Sequence, residues 1–168
     1  MKKHFAVAVY TDAQKAKKAV EKLLEAGLEK RAISLVARSN EDDVEKVEVE
    51  KVDSDVALWG SQGALWGGVL GALLGGAFFF IPGFGPIVGA GPVSAALAGM
   101  LGGAMTGGAA LGLADALIEW GMGEIEAKHY EELVEKGEIL VIVHGDKETV
   151  DNARTLLEET EAEKVEMH

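Results

Sequence analysis

Few residues in this chain have the types and spacing that chemistry requires. Glu126-Ala127-Lys128-His129 sets a carboxylate and an imidazole one helical turn apart. Di-iron carboxylate bundles use two such ExxH pairs plus two further glutamates. Here the pattern occurs once, and the long uncharged stretches add no acid, so it reads as a solvated helix face unless a symmetric oligomer supplies a second copy. His144-Gly145-Asp146 offers a base and a carboxylate without a nucleophile motif to complete them, and Asp146 reads as a helix N-cap. His4, His129, His144 and His168 would bind metal only if the fold gathered them. Gly83-Phe84-Gly85-Pro86-Ile87-Val88-Gly89 matches a loose nucleotide-loop pattern. A dinucleotide site needs a strand before it, a helix after it and an acid about 20 residues on. Pro86 interrupts the pattern and the next acid is Asp115. No P-loop occurs, and with no cysteine there is no thiolate ligand or nucleophile. The expectation is a protein without catalytic, cofactor-binding or metal-ligating residues, and not an enzyme.

The charges say more. Across 168 residues the net charge is −12, which opposes binding to nucleic acid and to an anionic lipid surface. Residues 56–114 contain no Asp, Glu, Lys, Arg or His, yet hold 17 of the 22 glycines and all three prolines. All 44 charged residues fall in the other 109 positions. Two materials share one chain: an amphipathic acidic part (residues 1–55 and 121–168) and an uncharged Gly/Ala-rich insert (56–120).

The acidic part reads as two βαβ halves. Phe5–Tyr10 is an apolar strand, Thr11 and Gln14 fit a capping box, and Ala16, Ala19, Val20, Leu23 and Leu24 follow at helical spacing. Gly27 is placed to end that helix, and Ala32–Ala37 reads as the second strand. Val44, Val47, Val49 and Val52 suggest an extension or a charged edge strand. Ile139–Val143, a helix with Val150, Ala153, Leu156 and Leu157 inward, and a short strand at Val165 and Met167 repeat the order. Val7–Asp12 lines up with Val141–Asp146. The fold class expected is α+β, a ferredoxin-like split βαβ domain with an inserted Gly-zipper helical hairpin. One face of its four-stranded sheet would need covering by another subunit or by the insert.

In the insert, Gly63, Gly67, Gly71 and Gly75 form one stripe on an arm from about Ala57 to Phe80. Gly99, Gly103 and Gly107 form another on an arm from about Val93 to Trp120. Pro82, Gly83, Gly85, Pro86 and Pro92 form the loop that breaks the helices. Each helical glycine costs roughly 1 kcal/mol relative to alanine, so close helix–helix contact must offset the loss. Trp59, Trp66, Phe79 and Phe80 supply apolar surface. Arms of ~22 residues match a bilayer core of about 30 Å, with the loop on the far side. The same arms also suit the interior of a soluble oligomer, or an intramolecular core.

The expected function is a non-enzymatic homo-oligomer. Its sheet drives association, and its hairpin enters a membrane or lines an interior able to hold lipid or quinone-like molecules. The alternative is a small-molecule sensor tethered by the hairpin. Met1–His4 followed by only a short apolar stretch is no secretory signal, so a cytoplasmic, membrane-associated or soluble protein is expected.

Ala64-Leu65-Trp66-Gly67-Gly68, the segment Ile81–Pro92, Ala127-Lys128-His129-Tyr130-Glu131-Glu132 and Gly137–Val141 together resemble the bacterial general stress protein family, also called heat-induced stress proteins and often labelled predicted membrane proteins. The most specific part is the Pro-Gly-x-Gly-Pro loop followed by Gly-Pro. The resemblance implies stress induction at a cytoplasmic or membrane-associated location, and brings no catalytic residues.

Overall fold

The apolar runs from the two ends of the chain pair with each other. In the computed structural model, which describes residues 4–38, 77–81, 85–92 and 112–168, the elements are β1 (His4–Tyr10), α1 (Ala13–Glu25), β2 (Ile33–Arg38), β3 (Ala77–Ile81), β4 (Gly85–Ala90), α2 (Leu113–Glu119), α3 (Glu124–Glu135), β5 (Ile139–Gly145), α4 (Lys147–Glu158) and β6 (Lys164–Met167). They build an α+β structure around one six-stranded sheet of order β3-β4-β2-β5-β1-β6, antiparallel at every step. The valines proposed for an edge strand lie outside the described residues.

Strict alternation along the strands sends side chains to two opposite faces. Ala6, Ala8 and Tyr10, with Ile33, Leu35, Val141 and Val143, are buried under α1 and α4. Phe5, Val7 and Val9, with Val36, Leu140 and Ile142, are buried under α2 and α3. Both faces of the central strands are therefore closed by helices of the same chain. The face expected to need covering by another subunit or by the insert is covered by α2, which belongs to the insert, and by α3.

The helix ends follow local chemistry. The N-cap of α1 is Asp12, whose carboxylate accepts the Gln14 and Lys15 N–H at 2.7 and 3.2 Å. Thr11, the residue expected there, instead donates to Glu163 at 3.3 Å. A charged carboxylate is the stronger acceptor for orphan N–H groups at a helix start. Asp146 caps α4 through Thr149 N at 2.8 Å, as expected. Gly27 ends α1 at φ +90°, with Gly27 N on Leu24 O and Leu28 N on Leu23 O. The same bond pattern ends α2 and α3.

The insert departs most from expectation. Phe79 and Phe80, placed on the first helical arm, lie in strand β3. Gly85 and Pro86, placed in a helix-breaking loop, lie in β4. Ala77-Phe78-Phe79-Phe80-Ile81 is aromatic and β-favouring, and the four-residue glycine spacing has already ended at Gly75. Pro86 is tolerated because pairing of β4 with β2 begins one residue later, at Ile87 opposite Arg38, so that neighbour asks no N–H of it. Pro92 is helical. The second arm does not run unbroken to Trp120. Gly112 is extended, and α2 starts anew after it, capped from α3 by Glu131, whose Oε2 accepts Ala114 N at 2.7 Å. Residues 56–120 thus contribute β3, β4 and α2 to the scaffold.

Candidate functional site

Three places bear on function: the junction of the uncharged run with the sheet, a polar latch on β6, and a cleft at one sheet end.

The junction is set by register. Ala77 pairs with Gly89, so the chain enters β3 and leaves β4 at the same end of one hairpin. β4 then pairs along β2 from Arg38 to Leu35. Gly91, at φ +84°, follows directly, pressed against the backbone of Ile33 and Ser34. Of the residues singled out from the sequence, Phe79, Phe80, Gly85, Pro86 and Pro92 belong to this region. Gly63, Gly67, Gly71, Gly75, Gly99, Gly103, Gly107, Trp59, Trp66, Pro82 and Gly83 lie outside the described residues. Among the described residues, no helix is long and apolar enough to cross a membrane.

The latch joins α3 to β6. Tyr130, buried at 1% exposure, donates its hydroxyl to Glu166 Oε2 at 2.9 Å and lies 2.7 Å from His168 Nε2. With the phenolic proton given to Glu166, His168 is the donor in the second bond. Lys164 pairs with the other Glu166 oxygen at 2.6 Å. Burial, reinforced by the Glu166 carboxylate, pushes the Tyr130 phenol far above its ordinary value. The Lys164 ammonium above all holds Glu166 below the usual carboxylate range, against the opposing effect of burial, with the Tyr130 hydroxyl adding a lesser downward pull. These groups spend their polar atoms on one another and so fasten α3 to β6. No sequence signal marks them, because Tyr130 is 36 and 38 residues from its partners.

The cleft encloses about 550 Å³ between the α1–β2 connection and the start of α4. Ala26, Leu28 and Ala32 give it apolar lining. Glu29 and Arg31 stand on one side, with His144, Asp146, Thr149 and Asn152 on the other. His144 packs edge-on against Trp120, ring centroids 4.6 Å apart. The Asp146 carboxyl is held below its ordinary range by its bonds with Thr149. His129 of the ExxH pair is exposed, Glu126 is half-buried, and no group of three metal-ligating side chains occurs among the described residues. The cleft was not foreseen, because its two walls come from segments more than a hundred residues apart.

Comparison with protein-family models, curated proteins and solved structures gives no match.

Proposed function

We propose that this chain is a non-enzymatic, stress-associated protein that forms homo-oligomers. In this reading an acidic scaffold carries two glycine-striped segments that pack against copies of themselves as an apolar core or lumen, able to hold lipid or quinone-like molecules. One observation carries the reading. The Ala77–Gly89 pair brings the ends of both uncharged segments to one end of the β3–β4 hairpin, where two small-residue stripes can begin side by side. The central order β2-β5-β1-β6, with α1 after β1 and α4 after β5, supports a ferredoxin-like split βαβ scaffold. The segment Pro82–Pro92 and Tyr130-Glu131-Glu132 support a place among the bacterial general stress proteins.

A soluble oligomer is favoured over a membrane-spanning hairpin. Spanning would put residues 81–92 on the far side of a bilayer, whereas β4 is hydrogen-bonded to β2 of the acidic scaffold. The net charge of −12 makes copies repel except where charge is absent, and the uncharged run is the one long stretch without it.

Gly67→Leu and Gly103→Leu are expected to weaken self-association by tenfold or more, about 1.4 kcal/mol, as read from particle mass against concentration. Ala64→Leu, beside the stripe, is the control. Unchanged mass in both glycine variants overturns the zipper.

A further inference from the structure

The two edges of the sheet are finished differently. At one edge β6 carries Lys164 and Glu166 beside Val165 and Met167, and charges of that kind guard an edge against further pairing. At the other edge lies β3, Ala77-Phe78-Phe79-Phe80-Ile81, with neither charge nor proline. Among the described residues its one strand neighbour is β4.

Pro86 fixes which backbone groups of β3 face outward. Opposed residues of an antiparallel pair alternate between those that exchange both N–H···O=C bonds and those that exchange none. Phe80 lies opposite Pro86, which has no N–H, so theirs is a non-bonded pair. The bonded pairs are then Ala77 with Gly89, Phe79 with Ile87 and Ile81 with Gly85. The N–H and C=O groups of Phe78 and Phe80 are left on the outer side, as a row of donors and acceptors.

That row fits a second copy of itself. About a two-fold axis at Phe79, Phe78 meets the partner subunit's Phe80, and Ala77 meets the partner subunit's Ile81. The bonded positions of the new pair fall on Phe78 and Phe80, the residues whose groups face outward. No register position sets charge against charge, which would destabilise the pair. Copies of a chain with net charge −12 repel one another least where charge is absent, and β3 lies inside the uncharged run.

We infer that two copies of this chain join edge to edge through β3, antiparallel about Phe79, so that their sheets become one. The inference rests on the proposed self-association and adds to it a contact separate from the glycine stripes.

The chain has no cysteine, so a single introduced thiol reports the register. Phe79 and its counterpart would form a non-bonded pair with Cα atoms about 4.5 Å apart, inside the range of about 4.4–6.8 Å that a disulfide spans. Ala77 and its counterpart would stand about 14 Å apart along the strands. Under mild oxidation of the full chain, Phe79→Cys is expected to form a covalent dimer at least tenfold faster than Ala77→Cys. Phe78→Pro removes an outward N–H and leaves the bonds to β4 in place. It is expected to weaken association tenfold or more relative to Phe78→Ala, which keeps that N–H, with the circular dichroism of both matching the parent. Equal rates at positions 77 and 79, no covalent dimer at 79, or Phe78→Pro associating like Phe78→Ala would overturn the inference. If the parent's native mass is still a multiple of one chain, the edge contact alone fails and the copies meet elsewhere. If the parent is a single chain, the proposed self-association fails with it.

Discussion

Gly91→Val is expected to remove about 3 kcal/mol or more of stability, with β4 released from β2 before the rest of the fold. A left-handed backbone costs a side-chain-bearing residue about 1–2 kcal/mol, more for a β-branched one. The position adds a collision. A Cβ on Gly91 would overlap the Ile33 carbonyl oxygen and stand 2.9 Å from Ser34 Cα. Both are backbone atoms of a strand paired on its two sides, so neither can swing away. Forcing extra atoms into such a place typically costs about 1–3 kcal/mol further. Gly27→Ala is the matched control. Gly27 is at φ +90°, and a Cβ added there would meet nothing within 4 Å, so it should show only the conformational cost of about 1 kcal/mol. Urea denaturation of both variants reads the difference. Equal losses would mean that Gly91 is not pressed onto β2, and that the uncharged run is not stitched into the sheet there.

Above pH 10 the protein is expected to lose stability steeply, with both of its tyrosines ionising only as the fold opens. Tyr10 and Tyr130 are the two tyrosines of the chain, and both are buried. Burial pushes the Tyr10 phenol up, and its bond to Thr160 at 2.6 Å only partly offsets that. Tyr130 is pushed up further, by burial and by the Glu166 carboxylate it faces. An unfolded tyrosine ionises near pH 10, at about its ordinary value. Below that pH both states hold the phenolic proton and stability is unaffected. Above it the unfolded chain releases protons that the folded chain retains, so stability falls as pH rises toward the folded values. The limiting slope is about 1.4 kcal/mol per pH unit for each tyrosine. Phenolate absorbance should therefore rise in one cooperative step together with loss of helical circular dichroism, and Tyr130→Phe should shallow the slope by about half. Gradual ionisation centred near pH 10 in the folded protein would contradict the burial of these hydroxyls. Glu166 acts at the other end of the scale. Its carboxyl is held low, so its contribution is present at neutral pH and fades as pH falls through its folded value.

How much was legible in advance depended on whether a signal was local and whether it had contrast. Gly27 and Asp146 were readable because a helix stop and an N-cap are single-residue chemistry. Asp12 was readable too, but from the internal repeat: it aligns with Asp146, and both cap helices. The capping-box pattern at Thr11 and Gln14 pointed one residue away. The strands β1 and β5 were legible as apolar runs, and their burial on both sides explains why those runs show no polar alternation. Inside residues 56–114 that contrast disappears, because a stretch without charge offers no polar face against which to read a period. The glycine spacing therefore carried a helical reading on through Phe80, where three phenylalanines and Ile81, all β-favouring, form most of β3. The covering of the second sheet face by α2 and α3, the Tyr130 latch and the cleft are all made by residues far apart in the chain, and no local pattern encodes them.

The proposed role turns on whether the uncharged segments are shared between copies. Cell fractionation followed by native mass measurement without detergent addresses it directly. The expected result is a particle in the aqueous fraction whose mass is a multiple of the 17.7 kDa chain. A stable single chain in water, or recovery only in detergent, would contradict it.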